Sequence, residues 1–120
     1  MIVGTGVDLI EISRIDSAAQ NDRFNQRVFT EIEQIETKLQ PHRLAGYFAA
    51  KEALLKAMGT GLAGFSWTEM EVQHNTQGAP FFKVYGKVAE FMSEKQVEQI
   101  HLSISHGREY AIAQVVLETR

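Results

Sequence analysis

The sequence predicts an α+β fold, an antiparallel sheet packed against one long buried helix and several shorter ones, with residues 1–120 forming a single domain. Three observations predict it. Five short stretches alternate or run apolar like strands, and hairpin turns join most of them. Residues 42–58 are apolar all the way round a helix, the mark of a buried one. The chain has 120 residues, 44% hydrophobic, with two prolines, enough for one core and too few for two.

The elements follow in order. Residues 2–9 alternate as a strand, with Val3, Thr5, Val7 and Leu9 on one face and Gly4, Gly6 and Asp8 on the other. The two glycines leave that second face bare, so another backbone or a ligand can come close. Residues 11–20 read as a short helix, and 23–29 as another helical turn. Thr30 with Glu33 has capping-box spacing and opens a helix to about Leu39. Pro41 starts the next element, the helix 42–58, which stops at Gly59. Residues 66–74 and 81–85 form a hairpin about Asn75-Thr76-Gln77-Gly78. A helix over 87–95 turns Val88, Phe91 and Met92 inward. Residues 100–106 set Leu102, Ile104 and His106 on one side, and 110–118 return from the turn at Gly107-Arg108-Glu109. Trp67, Phe81, Phe82 and Phe91 are expected in the core.

Composition excludes several functions. With no cysteine, there is no disulfide scaffold, thiolate zinc site, iron–sulfur cluster or cysteine nucleophile. No apolar run approaches the roughly 20 residues that span a bilayer. The N-terminus lacks a basic signal region, so the cytoplasm is the expected compartment. A net charge of −3 argues against a nucleic-acid partner. Gly4-Thr5-Gly6 is no dinucleotide fingerprint, because the third glycine would fall at Leu9. No P-loop, serine elbow or His-Glu-x-x-His motif is present.

Helix 42–58 carries the chemistry. Glu52 lies on a stripe with Ala45, Phe48, Lys56 and Gly59, where a carboxylate needs a partner or a metal. A Glu52–Lys56 pair at i,i+4 is the plain alternative. Between residues 38 and 60 stand Lys38, Arg43, Lys51 and Lys56 against the single acid Glu52. That local excess of +3 suits phosphate. Asp8 either caps the helix that follows or joins Glu52 to hold Mg²⁺, which bridges protein carboxylates to phosphates. His106, at a strand end, is either solvated or meets a phosphate or base. Arg14, Arg23 and Arg27 form either a solvated face or a docking surface for an acidic partner.

Taken together, Gly4-x-Gly6-x-Asp8, Phe48-Ala49-Ala50-Lys51-Glu52-Ala53 with Lys56-Ala57-Met58-Gly59-Thr60-Gly61, and Ser103-Ile104-Ser105-His106 before Glu109-Tyr110-Ala111 resemble the holo-acyl-carrier-protein synthase family. These are the small bacterial 4′-phosphopantetheinyl transferases. The resemblance covers nearly the whole chain. It implies Mg²⁺-dependent transfer of 4′-phosphopantetheine from coenzyme A to a serine of an acyl carrier protein, as in fatty-acid biosynthesis, releasing adenosine 3′,5′-bisphosphate. It implies Asp8 and Glu52 as metal ligands, with Glu52 and Lys56 catalytic. Lys51, Lys56, Gly59, Arg43, Ser105, His106 and Arg108 would bind coenzyme A. Arg14, Arg23 and Arg27 would dock the carrier protein. It also implies a homotrimer with active sites between subunits. Tyr47 stands where the family often has Arg, which leaves a non-catalytic nucleotide-binding module as the alternative.

Overall fold

In a computed structural model that describes all 120 residues, strands and helices alternate only in part. The order is β1 (Ile2–Glu11), α1 (Ile12–Ala18), α2 (Asp22–Val28), α3 (Glu31–Thr37), α4 (Pro41–Met58), a 3₁₀ turn (Trp67–Glu69), β2 (Met70–His74), β3 (Pro80–Val84), α5 (Gly86–Glu94), β4 (Val97–His106) and β5 (Tyr110–Thr119). The α+β class is as predicted, but the strands form two antiparallel sheets rather than one. A three-stranded sheet has the order β1-β5-β4, and β2 pairs with β3 separately.

Local chemistry sets the boundaries. The Thr30 hydroxyl accepts the Glu33 N–H at 3.2 Å, and Glu33 Oε1 accepts the Thr30 N–H at 2.9 Å, completing the capping box. Helix α3 ends at Thr37, short of Leu39, because Lys38 and Leu39 both take positive φ (54° and 57°) before Pro41 opens α4. Strand β2 starts at Met70 rather than near residue 66, since Ser66 and Glu69 form a second capping box on the 3₁₀ turn.

Helix α4 is the centre of the core. Leu44, Ala45, Ala49, Ala50, Ala53 and Leu54 are fully buried on it. Its stripe of small residues lets it lie close on the sheet. A Cβ at Gly6 would overlap the Ala53 carbonyl oxygen, and one at Gly4 the Ala57 carbonyl oxygen. Near its start, Gly46 sits against Ile104 of β4. The helix therefore crosses the sheet diagonally, from the β4 edge to the β1 edge.

That packing inverts the usual rule for β1. The glycine face is buried under α4, while Val3, Val7 and Leu9 stay exposed. They continue into Tyr110 and Ile112 of β5, also exposed, so the uncovered face of this sheet carries an apolar patch along β1 and β5. One expected core residue differs as well. Phe81 is exposed, whereas Phe82 is buried and Trp67 and Phe91, both partly buried, pack against the core. Period-two alternation explains Phe81: Phe82 pairs with buried Val72, so its neighbour points outward.

Candidate active site

Gly4 and Gly6 do more than permit close packing. They fix β1 against the last turns of α4, and the next residue on that face is Asp8. Lys56 reaches across this seam. Its Nζ donates to Asp8 Oδ1 at 3.1 Å and to the Val7 carbonyl at 3.0 Å. Lys56 pairs with Asp8 rather than in the alternative i,i+4 bridge to Glu52. Glu52 is half-buried beside the two. Burial pushes its carboxyl above the usual range, the Asp8 carboxylate adds to that, and Lys56 opposes both. Two carboxylates thus lie close enough to influence each other, with the one nearby ammonium bound to Asp8.

No third His, Cys, Asp or Glu joins the pair to make a protein-only metal cage. The donor set still fits Mg²⁺, which commonly takes one or two carboxylates and completes its octahedron with water and substrate phosphates. Two hard oxygen donors that repel each other gain most from a cation between them.

Lys51 does not belong to a phosphate site, contrary to the sequence reading. Its side chain is fully buried. Its Nζ donates to the Val28 carbonyl at 2.6 Å, to Glu33 Oε1 at 2.6 Å and to the Trp67 carbonyl at 3.2 Å. All three ammonium donors are consumed inside the protein. Burial drives the Glu33 carboxyl up and the Lys51 ammonium down, and each charge opposes the other's shift. The local +3 is correspondingly reduced: Lys51 is spent on Glu33, Lys56 on Asp8 and Arg43 on Glu36.

The remaining candidates fall elsewhere. His106, at the end of β4, sets its ring against that of His42 of α4, with centroids 5.0 Å apart and the planes inclined by 58°. These two, with Arg43, Gly46, Tyr47 and His74, help line a cavity of about 180 Å³. Ser105 points to the opposite, uncovered face of the sheet, because neighbours on a strand alternate. Gly59 caps α4 in the left-handed conformation (φ 76°) and is exposed. Arg108 lies in the β4–β5 turn, beside an open hollow that Glu11, Asp16 and Glu109 also line. Arg14, Arg23 and Arg27 are exposed on α1 and α2. The chain therefore brings Asp8, Glu52 and Lys56 together at the β1 edge, and His42, Arg43 and His106 at the β4 edge.

Sequence reasoning missed His42, Glu36 and His74. The Tyr47 hydroxyl donates to Glu36 Oε1 at 3.1 Å and lies 3.3 Å from His74 Nδ1, which is itself 3.0 Å from Glu36. Tyr47 is buried, and burial together with Glu36 pushes its phenol far above its ordinary value. The only sequence signal was Tyr47 itself, a buried phenol that needs a partner.

The sequence profile described as the 4′-phosphopantetheinyl transferase superfamily matches residues 4–115. The chain belongs to this superfamily. It is 48% identical to the holo-[acyl-carrier-protein] synthase of Shouchella clausii over 99% of this chain and 100% of that protein. It is 44% identical to that of Vibrio cholerae (strain O395), with complete coverage of both. Its fold matches the crystal structure of the Neisseria meningitidis synthase with a TM-score of 0.91 at 31% identity, covering 99% of this chain and 100% of that one. A Bacillus anthracis synthase solved in complex with CoA (3′,5′-ADP) matches at 0.82 and 39% identity, covering 100% and 99%. The phosphopantetheinyl transferase match covers both the glycine–carboxylate strand and the lysine–glutamate helix.

Proposed function

We infer that this chain transfers the 4′-phosphopantetheine group from coenzyme A to a serine hydroxyl of an apo-acyl carrier protein, with Mg²⁺. Its relatives are named for making the holo carrier protein, and solved relatives carry coenzyme A. The observation that carries the reading is the seam where Gly4 and Gly6 seat β1 on α4 and set Asp8 against Glu52 and Lys56.

The reaction breaks one P–O bond of the pyrophosphate and forms a new one to the serine oxygen, leaving adenosine 3′,5′-bisphosphate. Such a transfer needs alignment and charge neutralisation more than a reactive side chain. Asp8 and Glu52 would hold Mg²⁺, and the chemistry it would supply there is charge neutralisation at the pyrophosphate. Lys56, more than half exposed, swings from Asp8 to the departing phosphate and stabilises its charge. The Glu52 carboxylate would also be placed to receive the serine proton through an oxygen that the metal leaves free. Arg14, Arg23 and Arg27 present exposed positive charge to an acidic carrier protein.

We read the working unit as a homotrimer. The uncovered apolar face formed by Val7, Leu9, Tyr110 and Ile112 suits burial against a second copy. The separation of the two groups at opposite sheet edges suits a site in which one subunit brings Asp8, Glu52 and Lys56 and its neighbour brings Arg43 and His106. The proposed reaction belongs in the cytoplasm and serves carrier proteins such as those of fatty-acid biosynthesis.

The test is to incubate apo carrier protein with coenzyme A, Mg²⁺ and this protein, and weigh the carrier by mass spectrometry. The expected result is a gain of one phosphopantetheine. Binding of coenzyme A with no gain would instead mark a nucleotide-binding module.

A further inference from the structure

Lys51 and Glu33 form a fully buried ion pair, 2.6 Å apart, directly beside the candidate metal carboxylate Glu52 in the sequence. Exchanging a buried pair for well-packed apolar or neutral groups is often neutral or even stabilising. Stability alone is therefore a weak reason for this pair, and its geometry offers a better one. Lys51 binds the Val28 carbonyl at the last residue of α2, Glu33 on α3 and the Trp67 carbonyl in the 3₁₀ turn. Glu33 in turn accepts the Val72 N–H of β2 at 2.7 Å and the N–H of Thr30, the residue whose hydroxyl caps α3. Phe29 covers the ammonium, its ring centroid 5.4 Å from Nζ. One side chain of α4 is thus tied to α2, α3, the 3₁₀ turn and, through Glu33, to β2.

These ties resist rotation of the helix about its axis. On its other side α4 rests on Gly4 and Gly6, which hold it by backbone contact and allow little sliding. Glu52 has no hydrogen bond that would aim it: Lys56 is engaged by Asp8 and Val7. Its direction is set by the helix alone.

We propose that the Lys51–Glu33 pair is a positioning device for Glu52: it fixes the roll of α4 so that Glu52 faces Asp8, and it ties that setting to α2, the helix that carries Arg23 and Arg27. This rests on the reading of Asp8 and Glu52 as Mg²⁺ ligands. Lys51 touches no substrate; it acts through Glu52.

The experiment compares the wild-type chain with Lys51→Met/Glu33→Gln, which removes both charges together, and with Glu33→Asp, which keeps both charges but shortens the tether. Calorimetry measures coenzyme A binding with and without Mg²⁺, no carrier protein being present, and kinetics give kcat and KM for each substrate. In the folded double variant, Mg²⁺-free coenzyme A binding should stay within twofold of wild type. The tightening produced by Mg²⁺ should be largely lost, and kcat should fall about tenfold to a hundredfold, as for a misplacement near 1 Å. If the double variant does not fold, Glu33→Asp, which keeps both charges but shortens the tether, should show the same selective loss. A folded variant that keeps the Mg²⁺ tightening and kcat within twofold overturns the positioning role and leaves the function intact. A wild-type chain that shows neither Mg²⁺ tightening nor transfer overturns the reading of the site, and this inference with it.

Discussion

Lys56 Nζ bridges α4 to β1 at 3.1 Å from Asp8 Oδ1, so the one mobile cation of the site is held by one carboxylate beside the other. Lys56 is also the only influence that lowers the protonation point of Glu52, against burial and Asp8. Lys56→Met should therefore make Glu52 still harder to ionise. The acid limb of the pH–rate profile moves to higher pH, and kcat at neutral pH falls by about tenfold or more. An acid limb that stays in place would show that Glu52 does not govern it.

Glu52→Gln separates function from stability. Because the folded-state pKa of Glu52 is raised above 4.5, the folded chain holds its proton more tightly than the unfolded chain. The stability this lends at low pH is lost as pH rises through the folded pKa. At neutral pH without metal, Glu52→Gln should melt no lower than wild type, with a gain under about 1 kcal/mol because the side chain still reaches water. The difference should vanish below about pH 4. Mg²⁺ with coenzyme A should raise the melting temperature of wild type and much less that of the variant. Transfer should fall at least about a hundredfold. Melting curves over a pH series, with and without Mg²⁺, check each sign.

Gly6→Ala tests the seam itself. The added Cβ would run into the Ala53 carbonyl oxygen, which is helix backbone and cannot rotate aside. The helix must shift off the strand, at a loss of about 3 kcal/mol, as in overpacked cores. The shift also parts Asp8 from Glu52, so transfer should fall even at temperatures where the variant is folded. Gly107→Ala, in a turn with open space round it, is the control and should melt like wild type.

The sequence made α4 legible because its apolar residues encircle the axis, a pattern few other structures tolerate. Asp8 and Glu52 were legible for a related reason: each is a charge on a surface otherwise bare or apolar. Lys51 was misread because its solution lies 18 residues away, in a glutamate whose capping-box role was visible but whose inward turn was not. The Tyr47–His74 contact spans 27 residues and has no local signature. Alternation along β1 showed which residues share a face. It could not show that the glycine face is the covered one, because that depends on the alanines of α4, some fifty residues on.

Tyr47 offers a test of that long-range network. Tyr47→Phe keeps the ring and removes the hydroxyl that meets Glu36 and His74. Thermal or urea unfolding should show a loss of about 1 kcal/mol, since Glu36 keeps Arg43 and reaches solvent. Tyr47→Arg, which restores the residue often found in the family, should lower KM for coenzyme A by placing a guanidinium at the cavity beside His106. An unchanged KM would mean that this cavity does not meet coenzyme A.

Leu9 and Ile112 face each other across the β1–β5 pair on the uncovered sheet face, 61% and 41% exposed in the single chain. A homotrimer that buries this face should not tolerate charge there. Leu9→Glu should move the sedimenting species from trimer to monomer, and transfer should be lost with the assembly. If the site is shared, a further outcome follows. Glu52→Gln and His106→Ala subunits, each inactive alone, damage opposite halves. Reassembled in equal amounts, about a quarter of their subunit boundaries join two intact halves. Transfer should reappear in the mixture at roughly that fraction of wild type, whereas sites contained within one chain would give none.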